Sequence, residues 1–441
     1  MRKFDRRAVT SEVIPKKPPV AYSANYTRYA VGVLTVVYIF NFTDRQILSI
    51  LMTPIKQEML LTDTQLGFLS GIAFAIFYAT LGIPIARLAD RNSRVNIISV
   101  CLAIWSLMTA LSGLAANFWQ LLAARIGVGV GEAGGLPPSH ALIADYVPVE
   151  RRATALGIFT LGVPIGLMMG YLLGGWIAQH YGWRAAFFTV GIPGLLLAVL
   201  LRLTVDEPLR GHSQRDGQAV DIQPSVKQVL KYLWRLVTYR HIAAAAALQG
   251  FAGYGIIQWM PSFLHRSHHL TSSEIGFWLA MVIGIGGAIG TVAGGWLADR
   301  LGRRDMRWQM WLAAIGAFAG APFAFGIYLS DSVVIALASL FIPVIFVNSY
   351  LPTIFSVTQT LAPVRMRAMA SAIMLFILNI IGLGMGPQVM GILSDLLRPA
   401  FGEQSLRYAM LIGSITYLWA ALHFYMASRT LRQDLARPFT M

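Results

Sequence analysis

The chain has 441 residues, of which 56% are apolar and only 12% charged, against roughly 25% charged in soluble proteins. This balance, with 41 glycines, excludes an ordinary soluble globule and a disordered chain and points to many membrane-spanning helices. A net charge of +15 would suit nucleic acid only as one continuous basic face outside a bilayer, and a single cysteine, Cys101, excludes an intrachain disulfide.

In chain order, residues 1–25 form a polar tail carrying Arg2, Lys3, Arg6, Arg7, Lys16 and Lys17. It lacks the apolar core of a cleaved signal, so the first span is expected to act as an uncleaved signal anchor. A first bundle over 26–203 holds six apolar stretches centred near 39, 76, 105, 131, 165 and 194, each long enough to cross a bilayer. Residues 204–240 are the longest polar stretch and read as a linker. Its latter part sets Val226, Val229, Leu230, Leu233, Trp234 and Val237 at three- and four-residue spacing, with Lys227, Lys231 and Arg235 between them. That pattern reads as an amphipathic helix on the inner surface or, equally, as a plain tether with some helix. Six further spans, centred near 253, 286, 318, 347, 380 and 416, fill a second bundle over 241–428, and 429–441 is a tail.

Twelve crossings return the chain to its starting side, and most basic residues, including Arg91, Arg94, Arg151, Arg152, Arg303, Arg304, Arg365, Arg367 and Arg432, fall on that side. The positive-inside rule makes it cytoplasmic in a cell (inner) membrane. The excess charge is thus a topology signal held near anionic lipid, and no nucleic-acid partner is expected. Two loop sequences recur: Leu88-Ala89-Asp90-Arg91 as Leu297-Ala298-Asp299-Arg300, and Pro148-Val149-x-x-Arg152-Ala153 as Pro363-Val364-x-x-Arg367-Ala368. Nearly equal offsets imply a duplicated six-span unit.

Ionisable groups inside spans are costly and mark function by default. Four fall there: Asp44 and Arg45 in span one, Arg125 and Glu132 in span four. The seven-residue spacing of Arg125 and Glu132 puts both on one helix face, and Gly127, Gly129 and Gly131 between them permit close helix approach. Asn41 and Asp44 share a face, from which Arg45 is expected to point aside. On this reading Glu132 and Asp44 take protons, while Arg125, with Arg45 and Asn41, binds substrate. An anionic substrate on Arg125 would remove the counter-ion of Glu132 and favour its protonation. A salt-bridge network that only fixes packing is the alternative.

The element Gly295-x-Leu297-Ala298-Asp299-Arg300-x-Gly302-Arg303-Arg304 resembles the loop signature of the major facilitator superfamily. The resemblance implies an all-α fold of two six-helix bundles and an inner-side latch. Its residues would be Asp90, Arg91, Arg94, Asp145, Arg151, Arg152, Asp299, Arg300, Arg303 and Arg304, with Asp145 and the two arginines after it as partners of Asp90. The first copy departs from the signature at Ala86, Ser93 and Val95.

The run Asn41-Phe-Thr-Asp44-Arg45-Gln46, with Arg125-x-x-x-Gly129-Val-Gly131-Glu132-Ala133, Leu142-Ile-Ala-Asp145 and Glu207-Pro208, resembles spinster-like members. That implies a carrier of an anionic-headed, single-tailed lipid such as a lysophospholipid or sphingosine phosphate; proton coupling is expected from the placement of the intramembrane charges. Hexuronate and other organic-anion symporters share much of the pattern, and a non-transporting receptor or scaffold would read the same way.

The second bundle lacks charge near its span centres and offers few polar groups, among them Gln249, Tyr254, Gln258, Asn348, Tyr350, Gln359, Asn379 and Gln388, which suits an acyl chain. Gly162-Val-Pro164-x-Gly166 only partly resembles the superfamily's antiporter motif. No phosphate-binding loop, nucleophile–base pair or metal triad stands out, so no cofactor and no enzyme activity are expected, and the carrier is expected to be a monomer. His265, His268 and His269 read as solvated loop residues and not as metal ligands. His140 reads equally as a proton relay or a packed histidine.

Overall fold

The computed structural model describes residues 22–208, 224–348 and 350–437, with the side chains of Val149, Asp299, Val347 and Asn348 outside the described set. Most of the 1–25 tail, the middle of the linker and the end of the 429–441 tail therefore lie outside the described residues.

The first half contains α1 Ala24–Met59, α2 Asp63–Ser70, α3 Ile72–Ala89, α4 Arg94–Ser112, α5 Phe118–Glu132, α6 Leu136–Tyr146, α7 Val149–Thr160 and α8 Gly162–Thr204. After the linker helix α9 Val226–Arg235, the second contains α10 Val237–His268, α11 Ser272–Leu279, α12 Gly286–Gly302, α13 Arg307–Leu329, α14 Val333–Asn348, α15 Tyr350–Leu361, α16 Arg367–Ile377, α17 Gly386–Phe401 and α18 Ser405–Leu435. Wider π-helical turns over Ala280–Ile285 and Leu378–Met385 join α11 to α12 and α16 to α17.

Seven continuous helical stretches among the described residues are long and apolar enough to cross a membrane. Two of them, Glu150–Thr204 and Val364–Leu435, are long enough for two crossings each. They reverse at Gly182 (φ +83°) and Gly402 (φ +55°), backbone conformations that only glycine adopts without strain. Helices α1, α5 with α6, and α10 carry more polar groups and complete twelve crossings. Both described ends lie on one face, here termed the termini face. Tyr26 Oη donates to the Thr204 carbonyl (3.2 Å), and Arg437 to that of Arg235 (3.4 Å).

The duplication extends beyond the loop motifs. Helix α1 ends at Leu60 in the left-handed region (φ +53°), and α10 ends likewise at His269 (φ +55°). Each is followed two residues later by a threonine capping box, Thr62 with Gln65 and Thr271 with Glu274. A chain that turns with the same stereochemistry and restarts with the same cap at the same offset is the structural trace of one repeated unit.

The halves meet at the face opposite the termini. There α2 packs on α17, α8 on α11 and α1 on α10, whereas α6, α7, α12, α15 and α16 at the termini face pack mainly within their own half. The seam is made close by glycines. A Cβ on Gly175 would lie 2.3 Å from the Ser272 carbonyl oxygen, and one on Gly391 would lie 2.3 Å from that of Asp63, so each half contributes the same backbone contact to the other.

Candidate functional site: a buried ionic quartet

Two glycines of α5 bring the helices of the first half together. Gly129 faces the Phe74 carbonyl and Gly131 the Trp105 backbone so closely that a Cβ would sit 2.7 and 2.6 Å away. With α5 pressed onto α3 and α4, its Arg125 and Glu132 reach α1 and are 2% and 1% exposed. Asp44 is 1% exposed and Asn41 5%. With Arg45, whose side chain is 17% exposed, two cations and two anions gather in or beside the low-dielectric interior, where an unpaired charge would cost several kcal/mol.

Their pairing differs from the expectation. Arg45 does not point aside: its Nε donates to Glu132 Oε2, and its guanidinium is ringed by Tyr78, Phe42 and Phe74 at 4.3, 5.1 and 5.2 Å from the ring centroids. Arg125 does not hold Glu132; its Nη1 lies 3.7 Å from Asp44 Oδ1. The reason is axial distance. Seven residues at 1.5 Å rise put Arg125 and Glu132 about 10 Å apart along α5, so a shared face does not give contact. Adjacent Asp44 and Arg45 on α1 instead serve one α5 residue each.

The two pairs are unequally satisfied. Asp44 Oδ2 accepts from Thr109 Oγ1, but Asp44 Oδ1, Arg125 Nε and Nη1, and Glu132 Oε1 have no hydrogen-bond partner among the described residues. A small void bounded by Tyr38, Asn41, Arg45, Tyr78, Glu132 and Phe159 adjoins the Arg45–Glu132 pair. At about 10 Å³ it is near the lower limit for one water molecule. Thr109, Tyr78 and Phe74 escape sequence reading because hydroxyl and aromatic residues abound in membrane helices.

The loop charges also assemble differently. Arg94 is the hub, donating to Asp145 Oδ2 (2.6 Å) and to Glu207 Oε1 (2.9 Å). Glu207 Oε2 accepts from Ser93 Oγ (3.0 Å) and the Val95 amide (2.9 Å), so the start of the linker caps α4. Ser93, standing where the repeated signature has glycine, is itself the α4 N-cap. Arg152 donates to the Ala144 carbonyl (2.8 Å). Asp90, Arg91, Arg151, Arg303 and Arg304 are exposed and make no ion pair among the described residues. Arg300 stacks 5.2 Å from the Trp296 ring, and the Asp299 side chain lies outside the described residues.

The expectation that Asp145 and its arginines gather around Asp90 is therefore corrected: the cluster centres on Arg94 and binds elements of one half together. Among the described residues, each ion pair at this face lies within one half. In the second half Asp305 takes the bracing part, bonded to Arg307 and to Arg432 (both 2.9 Å), and the Arg307 hydrogen bonds hold its carboxyl below the usual range.

The opposite face carries an ion cluster that sequence reading missed. Asp63, 1% exposed at the start of α2, accepts from Arg266 of the other half (2.7 and 2.8 Å), Ser394 (2.7 Å) and Lys56. Asp395 returns the contact, accepting from the Asp63 and Thr64 amides at 3.1 and 2.7 Å and so capping α2 across the seam. The clue was available: Asp63 directly follows the repeated threonine cap, in a turn otherwise poor in charge.

A second, larger cavity of about 630 Å³ lies between α7 and α8 of the first half and the second half. Its wall includes Leu161, Leu167, Met260, Ile283, Val344 and Phe355; among the described residues it contains no charged group and has hydroxyls only from Thr160, Thr291, Tyr328, Ser414 and Tyr417.

Paired six-span units, a closed seam at one face and a charged core in one half are the arrangement of an alternating-access carrier. A family profile described as Major Facilitator Superfamily matches residues 34–387. The chain belongs to the Major Facilitator Superfamily. It is thus a multi-pass membrane transporter and not an enzyme. It is 33% identical over 412 residues to an MFS-type efflux pump of Mycolicibacterium smegmatis, covering 92% of this chain and 94% of that protein. Over 440 residues it is 25% identical to the sphingosine-1-phosphate transporter SPNS2 of Mus musculus, covering 93% and 80%. Its fold superposes with a TM-score of 0.87 on a bacterial homologue of the human lysosomal transporter spinster, crystallised in an inward-facing and unoccupied conformation. The identity is 32%, with 95% of this chain and 100% of that one covered. The spinster-like resemblance read from the first half therefore holds across the chain.

Proposed function

We propose that this secondary transporter moves an anionic, single-tailed lipid of the lysophospholipid or sphingosine-phosphate type, coupled to protons, across a cell membrane with its termini in the cytoplasm. The observation that carries the lipid reading is the mainly apolar cavity of about 630 Å³, within the range of ligand pockets, whose described wall has five hydroxyls but no charged group to hold the carboxylate of a sugar acid. Helix α7 is the partition between the two candidate subsites. Phe159 bounds the void beside Arg45 and Glu132, and Gly157 and Thr160 face the apolar cavity. A headgroup held by the arginines and a tail laid across α7 would use both. The likeness to the sphingosine-1-phosphate transporter supports this substrate class, and the likeness to the efflux pump supports outward movement.

The coupling follows from the under-satisfied quartet. Arg125 has hydrogen-bonding capacity that Asp44 does not fill, so an anionic headgroup can draw it away. Asp44 is then left buried without its cation, and a proton is the least costly replacement. Glu132 loses Arg45 in the same way when the headgroup engages that guanidinium. Purified protein in liposomes should transport a lysophospholipid or a sphingoid phosphate, with glucuronate competing weakly. Ala324→Phe, which narrows the apolar cavity without touching the ions, should strongly reduce lipid flux while leaving the folded protein intact by thermal unfolding. Strong competition by glucuronate, or undiminished lipid flux in the narrowed variant, removes the lipid reading.

A further inference from the structure

The linker helix α9 presents three faces instead of two. Val229 and Leu233 are fully buried against the second half, joined by Leu236, and Tyr232 Oη donates to the Leu361 carbonyl (3.2 Å). The helix is therefore fixed to the protein at the level where α10 begins, with only Leu236 between them. Its other apolar residues do not join that contact. Val226, Leu230 and Trp234 are 47, 43 and 55% exposed and follow at four-residue intervals, a second stripe beside the docked one. Next around the helix come Lys227, Lys231 and Arg235, all exposed. Arg437 donates to the Arg235 carbonyl (3.4 Å) and adds a fourth cation at the C-terminal end of α9, where the helix dipole favours positive charge.

Such an order, docked face, greasy stripe, basic stripe, has a simple physical fit. A helix held on a membrane protein at the bilayer boundary can lay its free apolar stripe among acyl chains, with tryptophan at the interface. The neighbouring cations then fall at the depth of the phosphates. A helix bathed only in water would have no reason to keep Val226, Leu230 and Trp234 on one line.

We propose that α9 is a binding site for anionic phospholipid headgroups, formed by Lys227, Lys231, Arg235 and Arg437 flanking the Val226–Leu230–Trp234 stripe. Because the start of the linker is tied to the first half through Glu207 and its end is docked on the second, lipid held at α9 acts on the tether that joins the two moving bodies.

The test uses the full-length protein with Cys101→Ser and Leu230→Cys, carrying an environment-sensitive fluorophore at position 230, in liposomes of phosphatidylcholine with increasing phosphatidylglycerol. The label should shift to the blue and become quenchable by bromine on lipid acyl chains as phosphatidylglycerol rises. Each cation removed in the series Lys227→Gln, Lys231→Gln, Arg235→Gln should weaken that response by about fivefold, and high salt should weaken it further. Because these side chains are exposed, an unchanged unfolding temperature separates lost lipid binding from misfolding. A label equally wet in both lipids, or a triple variant with the wild-type response, overturns the proposal, as does a response to free glycerol phosphate equal to that of the lipid.

Discussion

Arg125→Ala is expected to be the most damaging single change in the first half, lowering stability by about 3–5 kcal/mol, the cost of leaving a buried partner charge uncompensated. Asp44, 1% exposed, would retain only its bond from Thr109. A thermal unfolding scan in detergent should show a clear drop. The paired variant Asp44→Asn with Arg125→Ala should recover most of that loss, because both charges of this pair are then gone and the remaining Arg45 and Glu132 still pair with each other. Transport should not recover with it, since the proposed headgroup ligand and one proposed proton acceptor are missing together. Recovery of stability without recovery of transport separates a working ion pair from one that only supports packing. If the single variant unfolds at the wild-type temperature, Asp44 and Arg125 do not depend on each other.

The second large effect concerns the face opposite the termini. Asp63→Asn removes the anion that gathers Lys56 and Arg266, leaving two cations facing each other across the seam. At about 3 kcal/mol for a broken buried cluster, the ratio of closed to open at this face should fall by about a hundredfold. Spin labels at Trp119 of the first half and Val334 of the second, 73 and 75% exposed, report the separation directly. The variant should add a population at longer distance that the parent lacks. Gly391→Val should do the same by a different route, since its side chain would enter the space of the Asp63 carbonyl. Unchanged distances in both variants would mean that neither the ions nor the close backbone packing hold this face shut.

The parts of this molecule legible in the sequence are those with strong energetic signatures. Burying charge in lipid is costly enough that Asp44, Arg45, Arg125 and Glu132 stood out among apolar neighbours, and the structure brings all four together. Which cation serves which anion was not legible. Helix periodicity gives the direction of a side chain and says nothing of the axial stagger between α1 and α5, which decides that Arg45 and not Arg125 reaches Glu132. Glu207 was noted only as part of a motif, because its role as a cap for α4 depends on where the end of α8 falls. Asp63 and Arg266 join through tertiary packing across the pseudo-repeat, and each alone reads as an ordinary charge near a helix end. The linker pattern was read as one apolar face, although α9 divides it between protein and surroundings.

In the proposed cycle the buried acids take up protons as cargo displaces their arginines. Substrate accumulation in liposomes under an imposed pH gradient, compared between the parent and Glu132→Gln, isolates that step. The variant should still exchange substrate down its own gradient but no longer concentrate it when protons are supplied. Full gradient-driven accumulation by Glu132→Gln would show that Glu132 does not couple protons to cargo.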